Sequence, residues 1–133
     1  MITVVALWEH TWLTPDVESF IYRQVCEAYG VDRIIFAPER NDLTRKRVEQ
    51  FATVEAALAT TQGQKIFLEP EGSKTLSDIP EGDIVLITGN TANSNAHLAK
   101  DSECYRFKML NENHKGVFGV SAISIALAHR FGQ

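Results

Sequence analysis

A chain of 133 residues with 44% apolar and 23% charged residues is long enough to bury a real core and short for two domains, so one domain is expected. That composition excludes a disordered tail, a collagen-like repeat and a coiled rod. A formal net charge of −4 argues against a protein that holds nucleic acid by bulk electrostatics alone. Six of the thirteen Lys and Arg residues (Arg23, Arg33, Arg40, Arg45, Lys46, Arg47) nevertheless fall within 25 consecutive positions, enough for a local basic surface or for an ordinary solvated helix and loop. No apolar run approaches the roughly 20 residues that span a bilayer, and the start lacks the features of a secretory leader, so a cytoplasmic protein is expected. Cys26 and Cys104 are too few for a disulfide framework and lack the paired neighbours of a zinc site.

Thr3 to Trp8 is a β-branched run without polar alternation, the pattern of a strand buried on both faces of a parallel sheet. A helix follows. Thr14 or Asp16 can cap it, Pro15 suits its first turn, Val17, Phe20, Ile21, Val25 and Ala28 recur at helical spacing, and Gly30 ends it. Arg33 to Ala37 reads as a second strand. Leu43 to Thr60 carries one or two short helices, with Val48, Phe51, Val54, Ala57 and Leu58 on one stripe. Lys65 to Leu68 and Asp83 to Thr88 are the third and fourth strands, separated by a glycine-containing loop from Gly72 to Gly82 with at most one helical turn. Gly89 to Asn95 is a glycine and asparagine loop, Ala96 to Lys100 a short helix, Cys104 to Leu110 a fifth strand, and Val117 to Phe131 a final helix closed by Gly132.

Strands alternating with helices predict right-handed crossovers and an α/β fold with a mostly parallel sheet of five to six strands. Ligands in such sheets lie beyond the carboxyl ends of the strands. That rule selects the loops Glu9 to Thr14, Glu39 to Asp42, Glu69 to Ser73, Gly89 to Asn95 and Asn111 to Gly116. The loop opening on Gly89, Asn90 and Thr91 offers exposed amides to a small ligand or a tight turn to the next helix, and it matches neither the dinucleotide fingerprint nor the phosphate loop. The four histidines show no metal-ligand spacing, so no metal is expected. Glu9, Asp16, Glu18 and Glu69 are each conceivable bases that no spacing pairs; Ser121 lacks the setting of a nucleophile, and Cys26 lies among core-spaced positions. From Val117 to Ala128 the last helix is apolar on nearly every face, with only Ser121 and Ser124 interrupting, which requires cover on all sides and predicts a homodimer.

Several of these segments together resemble the SPOUT, or α/β-knot, superfamily of S-adenosylmethionine-dependent RNA methyltransferases, and within it the single-domain ribose 2′-O-methylating branch. Ile2 to Arg40 is similar to that branch's first motif: a strand, Thr14-Pro15-Asp16, a helix carrying Arg23, the turn Ala28-Tyr29-Gly30-Val31-Asp32 and a second strand to Pro38. Ile84 to Asn90 resembles the strand and glycine loop that open the family's cofactor site, Tyr105 to Leu110 the next strand, and Val117 to Arg130 the terminal helix. The family's Ser and Asn at that helix fall here on Val117 and Gly119, its glutamate two residues after the glycine falls on Thr91, and its arginine falls on Gln24, one position from Arg23.

The resemblance implies a carboxyl-terminal trefoil knot, a homodimer and an S-adenosylmethionine pocket. The pocket would be formed by Leu68, Glu69, Pro70, Thr88, Gly89, Asn90, Met109, Leu110, Asn111, Val117, Phe118, Gly119 and Ser121, with Arg23 or the stretch Arg45 to Arg47 holding an RNA phosphate or activating the ribose hydroxyl. It implies a tRNA or rRNA substrate, with Arg23 as the catalytic candidate. The departures keep a second expectation open, a degenerate knot protein that binds an adenosyl ligand or RNA without transferring a methyl group. An unrelated flavodoxin-like module acting through its dimer surface is a third.

Overall fold

The computed structural model describes residues 1–7, 15–40, 48–69, 72–89, 95–106 and 119–132. Seven strands form one parallel sheet: β1 (Ile2–Leu7), β2 (Arg33–Ala37), β3 (Glu49–Gln50), β4 (Gln64–Leu68), β5 (Lys74–Thr75), β6 (Ile84–Thr88) and β7 (Cys104–Arg106), in the order β3-β2-β1-β6-β4-β7-β5. The helices are α1 (Pro15–Ala28), α2 (Val54–Leu58) and α3 (Gly119–Arg130). None of the described helices is long and apolar enough to cross a membrane.

β1, β2, β4 and β6 coincide with the apolar runs of the sequence, and β7 with the start of the expected strand Cys104 to Leu110, of which 107–110 lie outside the described residues. Among the described residues the count is seven, against the five to six expected, because β3 and β5 are two-residue pairings at the two edges. Two residues carry no periodicity, so nothing in the pattern announces them. β3 falls in the stretch expected to be helical, of which only Val54–Leu58 is a described helix, started by Thr53, whose hydroxyl accepts from the Ala56 amide at 3.0 Å. The 72–82 loop holds β5 and one 3-10 turn, Leu76–Asp78, and the short helix after Asn95 is a 3-10 turn over Ala96–Leu98.

All-parallel pairing places every strand's carboxyl end at one edge of the sheet. The register there is continuous: Gln50, Phe36, Ala6, Thr88, Leu68, Tyr105 and Lys74 form a row across all seven strands. The core on one side of the sheet joins Val4, Ala6, Phe36, Leu68 and Leu86 to Tyr22 and Cys26 of α1 and to Ala122, Ile123, Ala126 and Leu127 of α3. On the other side Val5, Ile35, Phe67, Val85 and Ile87 meet Val54, Ala57 and Leu58 of α2. Strands buried on both faces explain the unalternating apolar runs.

α1 is rotated from the expected stripe. Its enclosed positions are Glu18, Ser19, Tyr22 and Cys26, with Val25 partly covered, whereas Val17 and Phe20 are 47% and 50% exposed and Ala28 also faces out. Tyr22 meets Phe36 edge-on at 5.0 Å between ring centres. The far ends of α1 and α3 are tied by Tyr29 stacked on Phe131 at 5.7 Å, and the Arg130 guanidinium donates to the carbonyls of Pro80 and Gly82. α3 is not covered on every face within one chain, because Ile125 is 39% exposed.

Candidate functional site

The described part of the site is built where β6 ends. Thr88 belongs to the seven-strand row and is buried on the α1 and α3 side, and its hydroxyl donates to the Gly89 carbonyl at 3.1 Å. The chain returns from the loop after Gly89 at Asn95, which is fully enclosed and donates its side-chain amide to the Thr88 carbonyl at 3.1 Å. A buried carbonyl at the last residue of a strand needs a donor, and Asn95 supplies it across the loop mouth.

Gly119 opens α3 against the same spot. A Cβ there would stand 2.5 Å from the Tyr22 hydroxyl, 2.8 Å from the Gly89 carbonyl oxygen and 3.1 Å from the Thr88 hydroxyl, distances that no side chain tolerates without displacing its neighbours. Absence of a side chain therefore lets three segments distant in sequence converge: α1 at Tyr22, the end of β6 and the start of α3. Ser121, two residues into α3, is half-buried.

β4 supplies the next wall. Leu68 is buried beside Thr88 in the row, and Glu69 follows, its amide donating to the Tyr105 carbonyl at 2.9 Å and its carbonyl accepting from the Gly72 amide at 3.1 Å. Gly72 lies so close to the backbone of Cys104 and Tyr105 that a Cβ would meet it at 2.6 Å. This contact seals β5 against β7, with the Lys74 ammonium 5.6 Å from the Tyr105 ring centre.

The structure thus brings Leu68, Glu69, Thr88, Gly89 and Gly119 of the expected pocket to one edge, with Ser121 behind them. Pro70, Asn90, Met109, Leu110, Asn111, Val117 and Phe118 lie outside the described residues, as do Arg45, Lys46 and Arg47. Arg23 is not on a solvent-facing side of α1, as expected from the stripe. Its side chain is 15% exposed and its guanidinium lies 3.6 Å from the Glu27 carboxylate one turn on, while Gln24, expected inside the stripe, faces out. The cause is the rotation of α1: with Ser19, Tyr22 and Cys26 inward, position 23 flanks the buried face.

Two residues that shape this edge escape a reading of the sequence. Tyr22 was hidden by the more apolar Val17 and Phe20 beside it, and Asn95 by its place at the end of a loop of similar residues. Burial pushes the Tyr22 hydroxyl well above its ordinary range, with Glu18 and Cys26 adding to the shift, so the phenol stays protonated. Cys26, also on the inner face, has its thiol pushed up to about 12, by burial first and then by Glu27, which removes it as a nucleophile at neutral pH. Among the described residues no three His, Cys, Asp or Glu side chains gather as a metal site.

Neither a protein-family model nor a curated protein sequence matches this chain. Its architecture does match solved structures. A Bacillus anthracis protein described as a candidate RNA methyltransferase superposes with a TM-score of 0.74 at 15% identity, over 98% of this chain and 93% of that one. A structure solved for the 2-OH methylation of C/U34 on tRNA gives 0.72 at 12% identity, over 98% and 89%. The SpoU methyltransferase AviRb from Streptomyces viridochromogenes gives 0.64 at 18% identity, over 95% of this chain and 56% of that one. At such identities the likeness is one of fold, and in fold this chain resembles the TrmH and SpoU type of RNA methyltransferase, the SPOUT group that its sequence motifs resemble.

Proposed function

We propose that this chain is an S-adenosylmethionine-dependent RNA methyltransferase acting on a ribose 2′-hydroxyl of tRNA or rRNA, as a cytoplasmic homodimer with a knotted carboxyl-terminal segment. The observation that carries the reading is the convergence of Thr88, Gly89 and Gly119 at the carboxyl edge of a fold shared with RNA methyltransferases, one of them solved for tRNA 2-OH methylation. The residues present fit an adenosyl group. A purine is held by apolar walls edged with backbone polar groups, and the buried Leu68 beside Thr88 at the strand ends supports that reading. Pro70, Asn90, Met109 to Asn111, Val117 and Phe118 would complete the pocket.

Bound S-adenosylmethionine would supply a methyl group on a positively charged sulfur. The protein's part is then alignment, and holding a hydroxyl and a methyl donor in register removes much of the barrier without elaborate acid-base machinery. The Asn95 to Thr88 bond and the Tyr22 to Gly119 contact make that edge rigid. The exposed Val17, Phe20 and Ile125, on the two helices of one layer, support pairing of two copies across that layer.

One observation favours the second reading, a degenerate protein that binds an adenosyl ligand or RNA without transfer: Arg23 is engaged by Glu27 and mostly enclosed. Incubation of the purified chain with methyl-labelled S-adenosylmethionine and bulk tRNA or rRNA separates the two. Label in alkali-resistant, ribose-methylated nucleotides is expected; ligand binding with no label in any RNA would leave the second reading.

A further inference from the structure

We propose that Arg130 is a positioning residue for this site: from the far end of α3 it fixes where along the sheet Gly119 comes to rest, and with it the shape of the Thr88 to Gly89 edge. The proposal rests on the adenosyl-binding reading above for its ligand readout, while its structural half is tested on the ligand-free chain.

The fit at the start of α3 is exacting. A Cβ at Gly119 would already stand 2.5 Å from the Tyr22 hydroxyl and 2.8 Å from the Gly89 carbonyl oxygen, so an axial shift of α3 either presses Gly119 on these atoms or opens a gap beside them. The body of the helix is the weaker constraint on such a shift. Its buried contacts are Ala122, Ile123, Ala126 and Leu127, and apolar packing has no preferred direction, whereas a hydrogen bond weakens steeply with distance and angle. Among the described residues two side chains of α3 make hydrogen bonds: Ser124 turns back on the Val120 carbonyl of its own helix at 2.9 Å, and Arg130 crosses to another element.

The guanidinium donates through Nη1 to the Pro80 carbonyl and through Nη2 to the Gly82 carbonyl at 2.8 Å, a fork closed on two carbonyls of the turn that feeds β6. That turn is itself held. The adjoining Asp83 carbonyl accepts from the Gln64 amide at 3.0 Å, and Gly63 lies so close that a Cβ would meet the Asp83 carbonyl oxygen at 2.5 Å. β6 then runs from Ile84 to Thr88, so α3 and β6 are coupled at both ends, by Arg130 at Gly82 and by Gly119 at Gly89. Phe131, half exposed, stacks on Tyr29 and steadies the helix end against α1 rather than against β6. The 12 residues of α3 set Arg130 roughly 17 Å from Gly119, so a change at residue 130 does not reach the site by contact. A positive charge in the last turn also suits the helix dipole, an account that needs no partner carbonyl and expects no effect at the site.

The test compares amide chemical shifts of the ligand-free, isotope-labelled full chain with those of Arg130→Ala, or of the milder Arg130→Gln should the alanine variant not fold. Val54→Ala, in α2 on the opposite face of the sheet, controls for lowered stability. The Arg130 variants should move the amides of Tyr22, Thr88, Gly89 and Gly119 and leave α2 in place. Calorimetric titration with S-adenosylmethionine should then show affinity falling at least about threefold, within the roughly two- to thirtyfold range of a residue coupled to a remote site. Unmoved amides at Gly89 and Gly119 in a folded Arg130 variant overturn the proposal, as does the same pattern of shifts in Val54→Ala, which would mark general loosening. Moved amides with unchanged affinity overturn it too. A parent that binds no S-adenosylmethionine would reject the adenosyl reading, while the ligand-free shifts still decide whether Arg130 governs this edge.

Discussion

Gly119 and Tyr22 touch where only a glycine fits: the first residue of α3 lies against the phenol hydroxyl of α1, so that a Cβ would come within 2.5 Å of it. That single approach fixes where α3 begins relative to the end of β6. It joins the packing of the helical layer to the geometry of the proposed pocket.

Gly119→Ala should therefore act on the site more than on the fold. The added carbon would also meet the Gly89 carbonyl oxygen at 2.8 Å, so the loop or the helix start must shift, at about 1–3 kcal/mol. Calorimetry should show adenosyl-ligand affinity falling by more than tenfold, and Tyr22→Phe in the Gly119→Ala background should recover part of the loss by removing the hydroxyl. No recovery in the double variant would mean that the Gly89 contact alone governs the site.

Asn95→Ala leaves the Thr88 carbonyl without its side-chain donor in a buried setting. A stability loss of about 1–3 kcal/mol is expected in urea unfolding. Proteolysis should cut first between residues 89 and 95, and a variant as stable as the parent would show that water replaces the amide.

The two apolar positions of α3 should part company. Leu127 is fully enclosed, so Leu127→Glu should unfold the chain, whereas Ile125 is 39% exposed and Ile125→Glu should leave the monomer folded while dissociating a dimer. Light scattering with circular dichroism reads both. A parent that is monomeric at micromolar concentration would remove the dimer from the account.

At the β3 edge, Arg33 of β2 grips Glu49 of β3 through two bonds of 2.8 Å and donates to the Thr60 carbonyl at 3.0 Å. The side-chain hydrogen bond from Arg33 holds the Glu49 carboxyl below its ordinary 4.5. A depressed value means that the contribution is complete above that pH and is lost as pH falls through the folded value. Glu49 is about half-exposed, so the pair is worth under about 1 kcal/mol. The melting difference between parent and Glu49→Gln should shrink from pH 7 to pH 3; a constant difference would contradict the assignment.

The strands β1, β2, β4 and β6 were legible because their apolar residues are buried on both faces, β7 showed instead as the alternation of the stretch from Cys104, and the site's edge followed from parallel pairing alone, before any side chain was placed. The facing of α1 was not. Its stripe of Val17, Phe20, Ile21, Val25 and Ala28 obeys helical spacing, yet the enclosed positions are Glu18, Ser19, Tyr22 and Cys26, of which Tyr22 and Cys26 pack with the sheet and α3, and Val17 and Phe20 are left outside. Hydrophobic periodicity reports the inner face only where the inner face is all core. Misjudging that rotation also misplaced Arg23. The edge strands β3 and β5 were too short to leave a pattern.

Amide chemical shifts recorded while S-adenosylmethionine is titrated into the isotope-labelled chain test the central claim most directly. The account predicts saturable shifts at Leu68, Glu69, Thr88, Gly89, Gly119 and Ser121, with α2 (Val54–Leu58), on the opposite face of the sheet, unmoved. No saturable shifts, or shifts centred on α2, would contradict it.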